Sequence, residues 1–367
     1  MIRSLKRNDE IIEFAKDSAW TGAVVERWLE FVRGFICPAH PLVRRDLHEL
    51  TAMEKIKIGI STCLLGEKVR YDGGHKLDRY ITETLGQYFD YVPVCPEVEY
   101  GLPVPREPLR LVGHPASPRL LTTRTGIDHT DGMTRWAERR SDELEHEGLC
   151  GFIFKSRSPS SGLKGVKVYT ASGMPSHSGT GIFAAAFVRR SPLLPVIDDG
   201  RLHDPSLRET FIDAVFVYRR WQGFLKKGGQ IKDLIDFHTD LKLLVLAHSP
   251  KHYSMLGRLV AQPRTSSPEA LHASYLSLLM EALRLQATSR KNTNVLLHGM
   301  GYFKKQLTGD EKTELLEVIE AYHKGYVPLI VPITLINHYV RKYREGYLKR
   351  QVYFNPHPVE LMLRNHV

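Results

Sequence analysis

Two cysteines stand where an apolar run breaks into a polar turn: Cys63 in ISTCLLGEKVRYDGG and Cys95 in YVPVCPEVEYGLPVPRE. A third break of the same kind is KSRSPSSG, residues 155–162, which follows GFIF. Thiolates are the ligands that soft metals and iron–sulfur centres prefer, so paired thiols at two such breaks form a candidate metal site. With no C-x-x-C pair in the chain, two ordinary buried thiols are the competing reading. Glu97, two residues after Cys95, is a carboxylate of the kind general acid–base chemistry needs. Arg70, Arg106 and Lys155 offer positive charge beside it, and Asp72 with Gly73 and Gly74 reads as a tight turn.

The elements that must position these residues follow from the apolar pattern. Residues 56–61, 91–95 and 151–155 are short β-rich runs, and residues 131–147 between the last two have a helical pattern. Strands joined by helix-length segments predict an α/β, Rossmann-like domain with a parallel sheet over residues 53–205. In such a sheet ligands bind beyond the carboxyl ends of the strands, where both cysteines fall. From residue 206 to 367 the pattern turns all-helical, with candidate helices at 207–224, 231–247, 266–289, 292–307, 309–324, 332–344 and the tail after it. Turn signals separate them, among them KKGG at 226–229 and HSPKH at 248–252. Residues 1–52 read as an N-terminal extension with one helical stretch at 23–35, because Met53 opens the abrupt change into the first strand.

Charge divides the chain the same way. Of 51 Lys and Arg and 41 Asp and Glu, residues 206–367 hold 23 and 14, a net of +9, leaving +1 for everything before. A basic half points to a polyanionic partner. Ordinary hydrophobic content (42%) excludes global disorder. No run approaches a membrane span, and the acidic start does not resemble a secretory signal, so a cytoplasmic location is expected. The four cysteines are too few and scattered for a disulfide framework.

The segments CLLGEKVRYDGG (63–74), CPEVEYGLPVPRE (95–107) and FKSRSPSSG (154–162) resemble the signature loops of the thiouracil desulfidase (TudS) family. The helical half, with YRRW (218–221), FHTDLK (237–242) and LVLAHSP (244–250), resembles the domain fused to that catalytic domain in RNA 4-thiouridine desulfidases. The resemblance implies a [4Fe–4S] cluster on three cysteines with one iron open to the substrate's sulfur. Cys63 and Cys95 match two of its ligands, Glu97 the acid/base glutamate, and Ser158 a serine that positions substrate or water. The family's third ligand falls at Ser161 in this chain, which leaves Cys150 as the remaining cysteine of the domain. Five strand residues at about 3.3 Å each put Cys150 about 17 Å from the other two. It joins them only if 149–152 form a bent segment.

The resemblance also implies a partner, tRNA carrying thiolated uridine, most simply 4-thiouridine; no protein partner is implied. Cations that would meet its phosphates are Arg219 and Arg220, Lys304 and Lys305, then Arg341, Lys342, Arg344, Lys349 and Arg350. Interleaved rings (Tyr218, Trp221, Tyr343, Tyr347, Tyr353, Phe354) would stack on unpaired bases, or else pack the helices. The histidines of this half have no metal-ligand spacing. Three other readings stay open: a desulfidase for free thiouracil, an RNA-binding protein without catalysis, and an iron–sulfur redox sensor that binds RNA.

Overall fold

The computed structural model describes residues 54–170, 173–262 and 267–366; the extension read at 1–52 lies outside them. Strand β1 (Ile56–Ser61) buries all but one of its residues, as a central parallel strand covered on both faces must. It runs through a 3-10 turn at Thr62–Leu65 into a long loop that leads to β2 (Phe89–Val94) and the short helix α1 (Pro96–Glu99). A hairpin, β3 (Leu109–His114) and β4 (Ser117–Thr122), precedes α2 (Thr130–Glu145) and β5 (Phe152–Phe154). Then come β6 (Val166–Tyr169), β7 (Pro175–Gly179), α3 (Ile182–Arg190), β8 (Val196–Asp198) and α4 (Asp199–Leu202).

These strands make two sheets. The first is wholly parallel, in the order β2-β1-β5-β8, and is the expected Rossmann-like sheet with a fourth strand added. The second, β4-β3-β6-β7, is mixed. Its strands are short and partly polar, so their alternation carries little signal. Tight packing fixes the parallel sheet at its centre: a Cβ on Gly59 would lie 2.2 Å from the Phe152 ring on the neighbouring strand. One face carries Phe152 and Phe154 against Phe183 and Phe187 of α3, with Phe152 and Phe154 stacked at 4.2 Å. Leu111, Leu120, Val166 and Val168 of the second sheet join that core.

The opposite face is covered by the first long helix of the basic half. This helix, α5 (Pro205–Lys226), presents Phe211, Ile212, Val215 and Phe216 to Ile58, Ile60, Ile153 and Ile197. Leu361 and Leu363 of the C-terminal segment complete the cluster. Lys55–Val367 accordingly form one compact unit, and position 205 is the start of a helix shared by both halves rather than a linker. Asp204 caps α5 by accepting from the Ser206 and Leu207 amides, with Pro205 in the first turn.

The remaining helices are α6 (Ile231–His248), α7 (Pro250–Ala261), α8 (Pro268–Leu283), α9 (Ser289–Gly301), α10 (Gly309–His323), α11 (Ile330–Lys342) and α12 (Gly346–Arg350). Helix α7 is the addition; α12 falls in the tail expected to be helical after residue 344, and the others match the expected helices to within a few residues, apart from a shorter α8 and α9. The Ser-Pro of HSPKH marks more than a turn: Ser249 accepts from the His252 amide and Pro250 opens α7. Among the described residues no helix is long and apolar enough to cross a membrane.

Candidate functional site

The four strands of the parallel sheet end together, since Ser61 pairs with Val94 and Phe154 with Asp198. Beyond their carboxyl ends lies a cavity of about 850 Å³ lined by Cys63, Cys95, Glu97, Ser158 and Ser161. The structure thus brings Cys63, Cys95, Glu97, Ser158 and Ser161 together with Arg70, Arg106 and Lys155, the cations expected beside them.

Each is held by local backbone geometry. Cys63 lies in the 3-10 turn after β1, which ends at Gly66 in the left-handed region, and its carbonyl accepts from the Lys76 amide at 2.9 Å. Cys95 precedes α1, and its amide donates to Glu99 Oε1 at 2.8 Å. The two thiols are 9% and 8% exposed, enough to face the cavity but little more. Burial pushes Cys63 up to about 11, with Lys155 opposing; burial and then the Glu97 carboxylate push Cys95 up to about 12. Both therefore carry protons at neutral pH until a metal displaces them.

Glu97 sits among donors. Its Oε2 is 3.7 Å from Cys95 Sγ and 3.5 Å from Arg106 Nη2. Its Oε1 accepts a short hydrogen bond from Ser160 Oγ, which lies 2.9 Å from Ser158 Oγ. Ser158 also accepts from the Ser160 and Ser161 amides at 3.3 and 3.1 Å, so it both shapes the turn and lines the cavity. Helix α3 clamps this turn: the Ile182 and Phe183 amides donate to the Pro159 and Ser160 carbonyls. A Cβ on Gly181 would lie 2.5 Å from Ser160 backbone atoms. Ser160, fully buried, was not singled out from sequence, because nothing in SPSSG tells which serine faces Glu97.

The fourth strand end was also missed. Asp199, just after β8, accepts from Lys155 Nζ at 2.9 Å and from the Ser156 amide at 2.6 Å. Burial alone would raise Asp199, but Lys155 and the amide outweigh it and hold the carboxyl below its ordinary value. The available signal was PVIDDG, an apolar run ending in acids like the other strand ends.

Seven Lys and Arg side chains line the cavity against two carboxylates, Glu97 and Asp198. Lys155, Arg106, Arg70 and Arg201 pair with Asp199, Glu97, Asp72 and Asp198. Among the described residues Lys76, Arg157 and Lys164 have no ion-pair partner, and all three are exposed.

Cys150 does not join the site. It lies at the amino end of β5, where its amide donates to the carbonyl of Lys57 near the start of β1, while Cys63 follows the end of that strand. Residue 150 is a bend just before β5, but it bends at the amino end of the sheet, where the Cys150 thiol donates to Gln222 Oε1 of α5 at 3.2 Å. Cys150 is not among the residues that line the cavity, so the structure does not bring a third thiol to Cys63 and Cys95.

The expected nucleic-acid residues divide. Lys304, Lys305, Arg344 and Lys349 are exposed, with no ion-pair partner among the described residues, and Arg220 is exposed as well. Lys342 instead pairs with Glu311 at 2.5 Å, and Arg350 with Asp236 and Asp240 at 3.1 and 2.9 Å. Arg219, half-buried, and Arg341, exposed, both have further contacts. Trp221, Tyr353 and Phe354 are buried and cannot stack on a base; Trp221 instead stacks on Tyr275 at 5.6 Å. His238 and His248 are likewise buried, consistent with core roles.

Comparison with known proteins places both halves. Residues 58–199 match the 2-thiouracil desulfurase family, and residues 242–358 match a family described as a protein of unknown function (DUF1722). The uncharacterized protein YbgA of Escherichia coli strain K12 is 34% identical over 143 residues, 38% of this chain and 85% of that protein. The uncharacterized protein YbbK of Bacillus subtilis strain 168 is 28% identical over 150 residues, 40% of this chain and 97% of that protein. Among solved structures, a [4Fe-4S]-dependent thiouracil desulfidase, TudS, is 31% identical with a TM-score of 0.33, covering 41% of this chain and 95% of that one. The chain thus joins a 2-thiouracil desulfurase family domain, residues 58–199, to a DUF1722 segment, residues 242–358.

Proposed function

We propose that this chain removes sulfur from thiolated uridine in tRNA, 4-thiouridine first, leaving uridine and sulfide. The supporting observation is the composition of one cavity: two thiols, a serine-held glutamate and seven cations at the carboxyl ends of four parallel strands. Free thiouracil carries no phosphate and needs few of those cations, whereas a nucleotide within RNA brings phosphates to them. The basic half, with its net +9, supplies more surface of the same sign.

Cys63 and Cys95, two soft, protected thiols lining one cavity, would hold two irons of a [4Fe–4S] cluster, one thiolate short of the set the resemblance implies. Ser161 lines the third side and offers only an oxygen. When bound, the cluster supplies a Lewis-acidic iron suited to a thiocarbonyl sulfur. The chain's own residues do the rest. The Glu97 carboxylate takes a proton from the attacking water and passes it to the departing sulfur. Ser160 and Arg106 fix its two oxygens in place. The water oxygen replaces sulfur on the pyrimidine carbon, both water protons leave with the sulfide, and no electrons are exchanged. A base within a stack cannot reach this cavity, so the target nucleotide must leave its neighbours.

The test is to incubate anaerobically reconstituted protein with thiolated tRNA and analyse the digested nucleosides. The expected result is conversion of 4-thiouridine to uridine with stoichiometric sulfide. Turnover of free thiouracil alone would confine the activity to the base. RNA binding with no turnover of either would mean a binder or a sensor.

A further inference from the structure

The DUF1722 segment carries an aromatic surface that neither the core nor the cavity uses. Tyr302 follows the last turn of α9, where Phe303 next to it is fully buried against Tyr339 and Tyr343 and pins the turn. Tyr302 itself points outward, 45% exposed. Its ring is backed by Tyr347 of α12, with centroids 4.8 Å apart and planes 16° from parallel. Burial against this neighbour pushes the Tyr347 hydroxyl above its ordinary value, and Glu345 caps the α12 turn by accepting from the Tyr347 amide at 3.1 Å. The pair is therefore a half-solvated stack with one ring face backed by protein.

Cations flank it from both chain segments. Lys304 and Lys305 follow Tyr302, and Arg344 and Lys349 bracket Tyr347; all four are exposed without an ion-pair partner among the described residues. The nearby carboxylates Asp236 and Asp240 are occupied by Arg350. A flat ring already stacked on one side, rimmed by uncommitted positive charge, matches single-stranded RNA. A base adds to the stack and the adjoining phosphates meet the lysines.

We propose that Tyr302, backed by Tyr347, is a stacking platform for an unpaired base of the RNA substrate, with Lys304, Lys305 and Lys349 holding the flanking phosphates. This rests on the RNA reading above and locates a contact on the second half of the chain.

The experiment measures binding of the full chain to an unmodified tRNA transcript by fluorescence anisotropy across a salt series. Tyr302→Ala should weaken binding about 10-fold, the range of one lost base–aromatic stack, with the melting temperature unchanged. Tyr302→Phe keeps the ring and should stay within about 2-fold of the parent. Lys304→Glu with Lys305→Glu should lower the slope of log affinity against log salt by about 2. If the parent binds and Tyr302→Ala binds equally well, the platform is wrong while the RNA reading stands. If the parent does not bind the transcript, the RNA reading fails and the platform with it.

Discussion

The two ends of one parallel sheet hold chemically similar thiols with different prospects. Cys63 and Cys95 at the carboxyl end and Cys150 at the amino end are all buried, and burial raises all three, to about 11, 12 and 12. Intrinsic acidity does not separate them. What does is their company. At the carboxyl end β1 and β2 open into adjacent loops, so two thiols, Glu97 and a ring of cations share one cavity. At the amino end Cys150 meets Gln222 and the carbonyl of Gly148, inside the contact between the sheet and α5. Strand direction decides which buried cysteine faces the cavity and which stays in the core.

The sharpest way to break that contrast is to remove a carboxyl-end thiol. Cys95→Ala should abolish iron retention after reconstitution and lower desulfuration by about 100-fold or more, measured as iron per chain and sulfide released. Loss of iron from Cys150→Ala but not from Cys95→Ala would invert the assignment. Next comes Glu97, the proposed proton carrier. Glu97→Gln keeps the shape and the Ser160 contact but cannot carry a proton. It should lower turnover by roughly 10²–10⁴-fold with iron content unchanged.

The sequence disclosed the carboxyl end well because its signals are local. Each of Cys63, Cys95 and the 155–162 turn follows an apolar run directly, and parallel topology does the rest. Much of what it concealed is non-local. Ser160 matters only because α3 presses the SPSSG turn toward Glu97, a contact 63 residues away. The fourth strand end escaped because β8 carries only two apolar residues, Val196 and Ile197, where the equally short β5 carries three in FIF. The second sheet escaped because its strands lack a clean alternation. Among the helices, Ser-Pro at 249–250 was read as a stop, when the same pair is an N-cap followed by the first helical residue. Cations suffer the same limit. Lys342 and Lys349 look alike in RKYREGYLKR, yet Glu311 neutralises the first and no carboxylate among the described residues pairs with the second.

A smaller effect sharpens the contrast within the carboxyl end. Ser160→Ala deletes the donor that fixes one Glu97 oxygen but leaves Arg106 on the other. Turnover should fall about 10-fold, less than for Glu97→Gln, because the proton carrier remains and only its orientation loosens. Ser160→Thr keeps the hydroxyl and should recover part of the loss. An equal loss in both variants, with a lowered melting temperature, would assign Ser160 to packing of the turn.

The smallest expected effect is at the amino end. Cys150→Ala removes a sulfur packed between the sheet and α5 and strips Gln222 Oε1 of its thiol donor. A small buried truncation and a weak lost hydrogen bond together cost about 1–2 kcal/mol of stability, visible as a lowered denaturation midpoint. Gln222 Nε2 still donates to the Leu149 carbonyl at 3.1 Å, so the contact should hold its register. Iron per chain and turnover should match the parent, because the carboxyl-end loops are set by β1 and β2, whose pairing runs from Ile56 with Phe89 to Ser61 with Val94 and does not involve position 150.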